Sequence, residues 1–378
     1  MKLTMERAPL LKALGRVQSV VERRNTIPIL SNLLMSAGQG RVTFSASDLD
    51  MQITESSPAQ VADPGQITAP AHTLYEIVRE LPEGAEVSLS YTGDDPRLVV
   101  RAARSRFNLP VLPAGDFPVM SSEGLAGSIG IGANDLIRLI DKTRFAMSTQ
   151  ETRYSLNGLY LHAVIKDGQP RLRAVATDGH CMAVAEMPAP EGLLGEPGVI
   201  IPRKTINEAR RLLDDGGETA IMGVSAQKVL IGFAHTAMTS KVIDGSFPDY
   251  ERIIPRENRR VMILDNALFA AAVHRVAIIS NEQSRAVKLS VEPGRMTLTV
   301  RNMDAGQAVD ELEADYEGEP FEVGFNARYI LDITAQIGGE RIEFRFTEQA
   351  DGAIARDPAL ALDPTDAGVQ YVLMPLRV

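Results

Sequence analysis

The 378-residue sequence has a single cysteine, Cys181, no tryptophan, and only 5% aromatic residues. One thiol excludes an intrachain disulfide framework and fits a reducing, cytoplasmic compartment. Few aromatics disfavour a stacking platform for single-stranded nucleic acid. No apolar run approaches the roughly 18 residues that span a bilayer. The opening Met1-Lys2-Leu3-Thr4-Met5-Glu6-Arg7 lacks the pattern of a signal peptide. No membrane partner is expected. Basic charge is also in deficit, with 39 Lys and Arg against 49 Asp and Glu, a net charge of −10. Taken alone this argues against phosphate binding, although a binding face depends on where the charges sit. Signs of chemistry are equally sparse. His72, His162, His180, His235 and His274 lack metal-ligand spacing with a cysteine or another histidine, apart from the adjacent His180-Cys181. Neighbours along a strand point to opposite faces. There is no Walker-type loop and no G-x-S-x-G elbow. No catalytic residue, metal or cofactor is expected.

What the chain does contain is a globular balance, 44% hydrophobic and 23% charged, and enough length for two or three domains with real cores. It also contains one plan three times. An amphipathic helix is expected at Leu10, Leu11 and Leu14, again at Leu136, Ile137, Leu139 and Ile140, and again at Leu268, Phe269, Ala272 and Val273. Each is followed by alternating strand pattern and a polar turn: Ser47-Asp48-Leu49-Asp50, Thr177-Asp178-Gly179-His180 and Arg301-Asn302-Met303-Asp304. A second helix starts after Ala69-Pro70, Ile201-Pro202 and Phe325-Asn326, and is expected to stop at Gly84, Gly216-Gly217 and Gly338-Gly339. The first two copies close on Gly115-Asp116-Phe117-Pro118 and Gly245-Ser246-Phe247-Pro248. The order implies an α+β fold in which each repeat packs two helices on antiparallel sheet. Domains are expected at 1–121, 128–253 and 254–378, with Ser121–Ser128 as the first linker.

Over the six helical windows 6–24, 71–81, 134–147, 203–215, 265–280 and 326–337, there are 15 basic and 11 acidic residues, about +4, leaving −14 elsewhere. Lys12 and Arg16, four apart, are expected to share a solvent-facing side of the first helix opposite the leucines. Such faces touch phosphates without reading bases. The carboxylates Asp48, Asp50 and Asp178, with His180, could bind a metal or act as acid and base, but recurring at one turn they are expected to cap backbone groups.

Several passages resemble the bacterial sliding clamp family, the beta subunit of DNA polymerase III. They are Thr26-Ile27-Pro28-Ile29-Leu30-Ser31-Asn32-Leu33-Leu34, Arg153-Tyr154-Ser155-Leu156-Asn157-Gly158, Ala176-Thr177-Asp178-Gly179-His180, Asp244-Gly245-Ser246-Phe247-Pro248-Asp249-Tyr250 and Tyr371-Val372-Leu373-Met374-Pro375-Leu376-Arg377. The resemblance spans the whole chain and implies three DNA-clamp domains in a head-to-tail dimeric ring around duplex DNA. It implies a processivity factor without catalytic activity, an accessory subunit of a DNA-directed DNA polymerase. The implied partners are DNA of any sequence, a second copy of the chain, the replicative polymerase alpha subunit, the clamp loader, and other polymerases and repair proteins bearing a clamp motif. Matching positions for the dimer are Phe107 and Leu109 facing Ile278 and Ile279. Those for DNA are Arg24, Gln150 and Tyr154, with Ser155 replacing an aromatic of some relatives. Those for a hydrophobic partner-peptide cleft are Leu156, Thr177, Gly179, His180, Met182, Pro248, Arg252, Ile253, Val372, Met374, Pro375 and Leu376. Cys181 stands where many relatives carry an arginine at the cleft rim. An open monomeric DNA-binding scaffold of the same fold is the other assembly such a chain could adopt.

Overall fold

The computed structural model describes residues 1–93, 95–121, 125, 129–193, 198–214, 217–256, 258–281, 285–347, 352–359 and 368–377. Most of the expected linker (122–124 and 126–128), Gly216 and Val378 lie outside the described residues. Six helices form: α1 (Arg7–Val17), α2 (Ala71–Glu80), α3 (Ala133–Thr143), α4 (Arg203–Leu213), α5 (Asn266–Ala277) and α6 (Ala327–Thr334).

By compactness the chain divides in two, Met1–Asn134 with Asn207–Val242, and Asp135–Ile206 with Ile243–Val378. The first unit holds two antiparallel sheets. A five-stranded one runs Gln60–Asp63, Lys2–Glu6, Glu86–Ser90, Arg97–Ala102, Ser105–Pro110. An eight-stranded one runs Ile129–Gly132, Thr219–Val224, Lys228–Phe233, Thr236–Lys241, Met51–Pro58, Arg41–Ser47, Asn32–Gly38, Gly65–Pro70. The second unit has an eight-stranded sheet ordered Val199–Pro202, Gly158–Lys166, Gln169–Thr177, Cys181–Pro188, Gln370–Leu373, Ala353–Arg356, Arg341–Phe346, Arg260–Asp265. Its four-stranded sheet runs Gly306–Glu313, Arg295–Asn302, Ala286–Glu292, Phe321–Asn326.

The two large sheets explain why compactness does not follow the repeats. The last strand of the second repeat, Thr236–Lys241, pairs with Met51–Pro58 of the first, Thr236 opposite Glu55 and Ser240 opposite Met51. The last strand of the third, Gln370–Leu373, pairs with Cys181–Pro188 of the second, Leu373 opposite Cys181. Each repeat thus completes the sheet of the one before it. The corresponding strands left over, Ser105–Pro110 and Gly306–Glu313, are sheet edges.

Helix packing follows the apolar spacing. α1 buries Leu10, Leu14 and Val17 against Met51–Pro58, and α5 buries Phe269, Ala272, Val273 and Val276 against Arg295–Asn302 and Gly306–Glu313. Leu268, grouped with that face in the sequence, is 60% exposed. It precedes Phe269 by one residue, about 100° round the helix.

Other expectations are corrected. The first helix ends at Val17 and tightens into a 3-10 turn, Gln18–Val20, so Arg23 and Arg24 lie past it. α2 does not stop at Gly84. It ends at Glu80, with Leu81 extended at φ −68°, ψ 153°. The residue before a proline is driven out of helical geometry, and Pro82 follows. Gly84, at φ +71°, serves the next turn. α6 likewise ends before Gly338-Gly339, and Gly339 answers to a close approach instead: a Cβ there would stand 2.7 Å from Asp357 Oδ2.

As formed, the helices carry twelve basic and six acidic side chains, a larger basic excess than the windows gave. Arg16, however, does not face solvent. It is buried against Glu55, Nη1 to Oε1 at 3.1 Å, with side chains 8% and 6% exposed, and it also bonds Thr236 Oγ1 at 3.1 Å. Its helical neighbour Lys12 is exposed. Spacing put both on one face, but the strand from the second repeat covers the inner part of it.

Candidate functional site

The three polar turns are built alike. Asp48 Oδ1 accepts the amides of Asp50 (3.0 Å) and Met51 (2.7 Å). Asp178 Oδ1 accepts those of His180 and Cys181, both at 2.9 Å. Asn302 Oδ1 accepts those of Asp304 (2.9 Å) and Ala305 (3.3 Å). These carboxylates and amides hold the backbone. Asp50 is paired with Lys241, and Asp178 Oδ2 takes a short bond from the Tyr329 hydroxyl. Of the residues weighed for a metal or acid–base role, Asp48 and Asp178 cap the turns, whereas Asp50 pairs with Lys241 and His180 is exposed.

The second turn has the most built around it. Gly179 sits at φ +91°, and a Cβ there would come 3.1 Å from Arg153 Nη1, which donates to the Asp178 carbonyl at 2.8 Å. Glycine meets both demands without strain. The Thr177 hydroxyl donates to the Cys181 carbonyl (2.8 Å) and accepts the Gly179 amide (3.0 Å). Beside the turn runs the chain end: the Met374 amide donates to the His180 carbonyl at 2.9 Å, and the Leu376 amide to the Gly324 carbonyl at 2.8 Å. Exposed or half-buried apolar groups gather on the same unit: Leu156, Pro248, Ile253, Met374, Pro375 and Leu376. Thr177, Met182 and Val372 are buried. Gly179, His180 and Arg252 are exposed. Cys181 is not at a rim: it is 1% exposed, and burial drives its thiol pKa well up.

Side chains fix the segment carrying Pro248, Arg252 and Ile253. The Tyr250 ring is buried among Val175, Met182, Val184 and Val372. Phe247 stacks on Tyr160 (4.9 Å), which stacks on His162 (4.4 Å). The Tyr250 hydroxyl meets His162 Nε2 at 2.9 Å and accepts from Arg173 Nη1 at 2.9 Å. Sequence spacing missed this network, and it missed Arg153 and Tyr329. The aromatics at 247 and 250 flanking Pro248 were the available signal. Burial, together with the nearby Arg173 cation, lowers the His162 pKa to about 4, although Glu251 and a backbone bond with Ala163 oppose the shift.

A pH dependence follows. An unfolded imidazole titrates near 6.5, so below that pH the unfolded chain takes up the proton that the folded one refuses. The stability His162 contributes is complete above about 6.5 and is lost as pH falls toward 4. Discounted for partial exposure, the loss by pH 5 is on the order of 1–2 kcal/mol. Urea titrations at pH 7 and 5 should show His162→Gln losing less than the parent by that amount; parallel losses would refute the assignment.

The remaining predicted positions are spread out. Arg24 and Gln150 are exposed, and Tyr154, 59% exposed, lies against Gly245. Phe107 is half-buried and Leu109 buried on the edge strand Ser105–Pro110. Ile278, just past α5, is 74% exposed, and Ile279 is half-buried.

Three α+β repeats, each completing the sheet of the one before, agree with what the comparisons find. Residues 1–121, 130–249 and 251–377 match the N-terminal, central and C-terminal domains of the DNA polymerase III beta subunit. The chain belongs to that family, the beta sliding clamps. Its members bind DNA and polymerase as accessory subunits and are not themselves catalytic. It is 68% identical to the beta sliding clamp of Caulobacter vibrioides and 35% identical to that of Escherichia coli, in each case over 100% of both chains. The crystal structure of the C. crescentus clamp superposes with a TM-score of 0.97 at 68% identity, covering 100% of this chain and 99% of that one. A Bartonella birtlesii clamp solved bound to griselimycin gives 0.95 at 44% identity, with 100% of each chain covered.

Proposed function

We propose that two copies pair head to tail through the leftover edges Ser105–Pro110 and Gly306–Glu313, closing a ring of six domains around duplex DNA. The domains in this reading are 1–121, 128–253 and 254–378. The observation that carries it is the repeated junction. Within the chain, Thr236–Lys241 on Met51–Pro58 and Gln370–Leu373 on Cys181–Pro188 are two instances of one antiparallel pairing, and these two edges are its missing third. The register can be read across. Ala103 and Ala234, at φ +49° and +48°, start equivalent hairpin turns, which makes Ser105 the counterpart of Thr236. Arg301 pairs with Gln307 as Ser47 pairs with Gln52, and Arg275 of α5 bonds Asp310 as Arg16 of α1 bonds Glu55, which makes Asp310 the counterpart of Glu55. Thr236 faces Glu55 and Ala237 faces Thr54, so Ser105 faces Asp310 of the second copy and Arg106 faces Val309. The Phe107 side of the edge and the exposed Ile278 supply apolar contact at each of the two heterologous junctions that close the ring.

Arg24, Gln150 and Tyr154 touch the DNA backbone without reading bases, and topology supplies the grip that a net charge of −10 does not. The surface at Pro248, Ile253, Met374 and Leu376 takes the clamp-binding peptides of the polymerase alpha subunit, the clamp loader and repair polymerases. Adaptable Met and aliphatic walls suit several partners. The test is an Arg106→Cys, Val309→Cys protein loaded on nicked circular plasmid by a clamp loader and then oxidised. Cross-linked dimer should stay on the circle and leave once the DNA is cut. Equal retention on both forms, or no cross-link, would leave the open monomeric scaffold in its place.

A further inference from the structure

The wall of the cleft that carries Pro248 and Ile253 belongs to no strand. Among the described residues, the backbone bonds of 244–253 stay within the segment, Tyr250 amide to Pro248 carbonyl at 2.7 Å and Ile253 amide to Tyr250 carbonyl at 3.0 Å. Its position must therefore be set by side chains. One residue outside the segment bonds two of them at once. Arg173 Nη1 donates to the Tyr250 hydroxyl at 2.9 Å and to Glu251 Oε1 at 2.8 Å. Its Nε donates to Glu186 Oε2 at 3.0 Å, and Glu186, 3% exposed, is its cross-strand partner. The guanidinium is thus fixed on the sheet side by a buried carboxylate before it reaches the segment, a use of the planar fork that a lysine cannot copy.

We propose that Arg173 is a positioning residue for partner-peptide binding, holding the Pro248–Ile253 wall in its binding-competent place through Tyr250 and Glu251. The inference rests on the cleft reading above. Arg173 touches no peptide; it acts by keeping the 3-10 turn Tyr250–Arg252 against the sheet, so that Ile253 is presented without an ordering cost at each binding event.

The experiment uses the full-length protein and a fluorescein-labelled peptide carrying the replicative polymerase's clamp-binding motif, read by anisotropy. Tyr250→Phe keeps the buried ring and removes only the hydroxyl; Arg173→Lys keeps the charge and loses the fork. Each should weaken the peptide about 3- to 10-fold, and the double variant should lose clearly less than the two single losses combined, since both break the Arg173–Tyr250 bond. Hydrogen exchange supplies the reading that general destabilisation would not give: the Tyr250 and Ile253 amides speed up while those of Ala183 and Tyr371 in the sheet do not. Met374→Ala is the control for the cleft itself. If it abolishes binding while Tyr250→Phe and Arg173→Lys bind within twofold of the parent, the inference is overturned alone. If Met374→Ala also binds normally, the cleft reading falls and takes the inference with it. Additive losses in the double variant, or exchange that rises equally across the sheet, would count as general loosening and overturn it too.

Discussion

Glu55→Ala is expected to lose about 3–5 kcal/mol of stability, because it leaves the Arg16 guanidinium buried without its carboxylate. Both side chains are under a tenth exposed, and Glu55 Oε2 also takes the Thr236 hydroxyl proton in a short bond. The triad joins α1, the first repeat's strand and the second repeat's strand at the register Thr236 opposite Glu55. Its loss should therefore loosen that junction first. Hydrogen exchange in Thr236–Lys241 and α1 should rise before that in the five-stranded sheet, and the urea midpoint should fall. The pair as a whole need not add much over apolar packing of the same volume, so Arg16→Met with Glu55→Leu should recover most of the loss. A Glu55→Ala midpoint within about 1 kcal/mol of the parent would mean that solvent reaches Arg16 after all.

Truncation after Leu373 should remove polymerase stimulation while leaving the dimer assembled. It takes away Met374, Pro375 and Leu376 together, and a single anchor of the hot-spot kind is worth about 2 kcal/mol or roughly 30-fold in affinity. The fold should survive the cut. Strand Gln370–Leu373 keeps its pairing on both sides, and Tyr371 remains fully buried, 5.7 Å from the Phe145 ring centroid. Two backbone bonds go, Met374 to His180 and Leu376 to Gly324, a net loss of about 1–3 kcal/mol. Primer extension with the holoenzyme, set beside sedimentation of the truncated chain, separates the two effects. Unchanged stimulation by an intact dimer would place the partner site elsewhere.

Local pattern carried a good deal of this structure. The helices begin where Pro70, Pro202 and Asn326 announce them, and Asn326 caps the Arg328 amide at 2.9 Å. The turn residues Asp48, Asp178 and Asn302 accept backbone amides as short polar side chains in turns do. Helix ends were less legible: glycine drew attention at 84 and 338–339, whereas Pro82 ended α2 by excluding helical geometry at Leu81. Most cleft positions came from the family resemblance, not from spacing. The residues proposed for the cleft come largely from 177–182, 248–253 and 372–376, stretches with no periodic relation to one another.

By itself the sequence determined the threefold plan, the helix faces, the capped turns and the lack of concentrated chemistry, because each depends on residues within a few positions of one another. Tertiary structure decided the rest. That Arg16 and Leu109 are buried, that Cys181 lies beneath its turn, and that Arg173 grips Tyr250 and Glu251 all depend on which strand lies beside which, and in what register. A one-residue slip in register turns every side chain to the other face. Side-chain periodicity shows that a face exists; only long-range pairing shows what covers it.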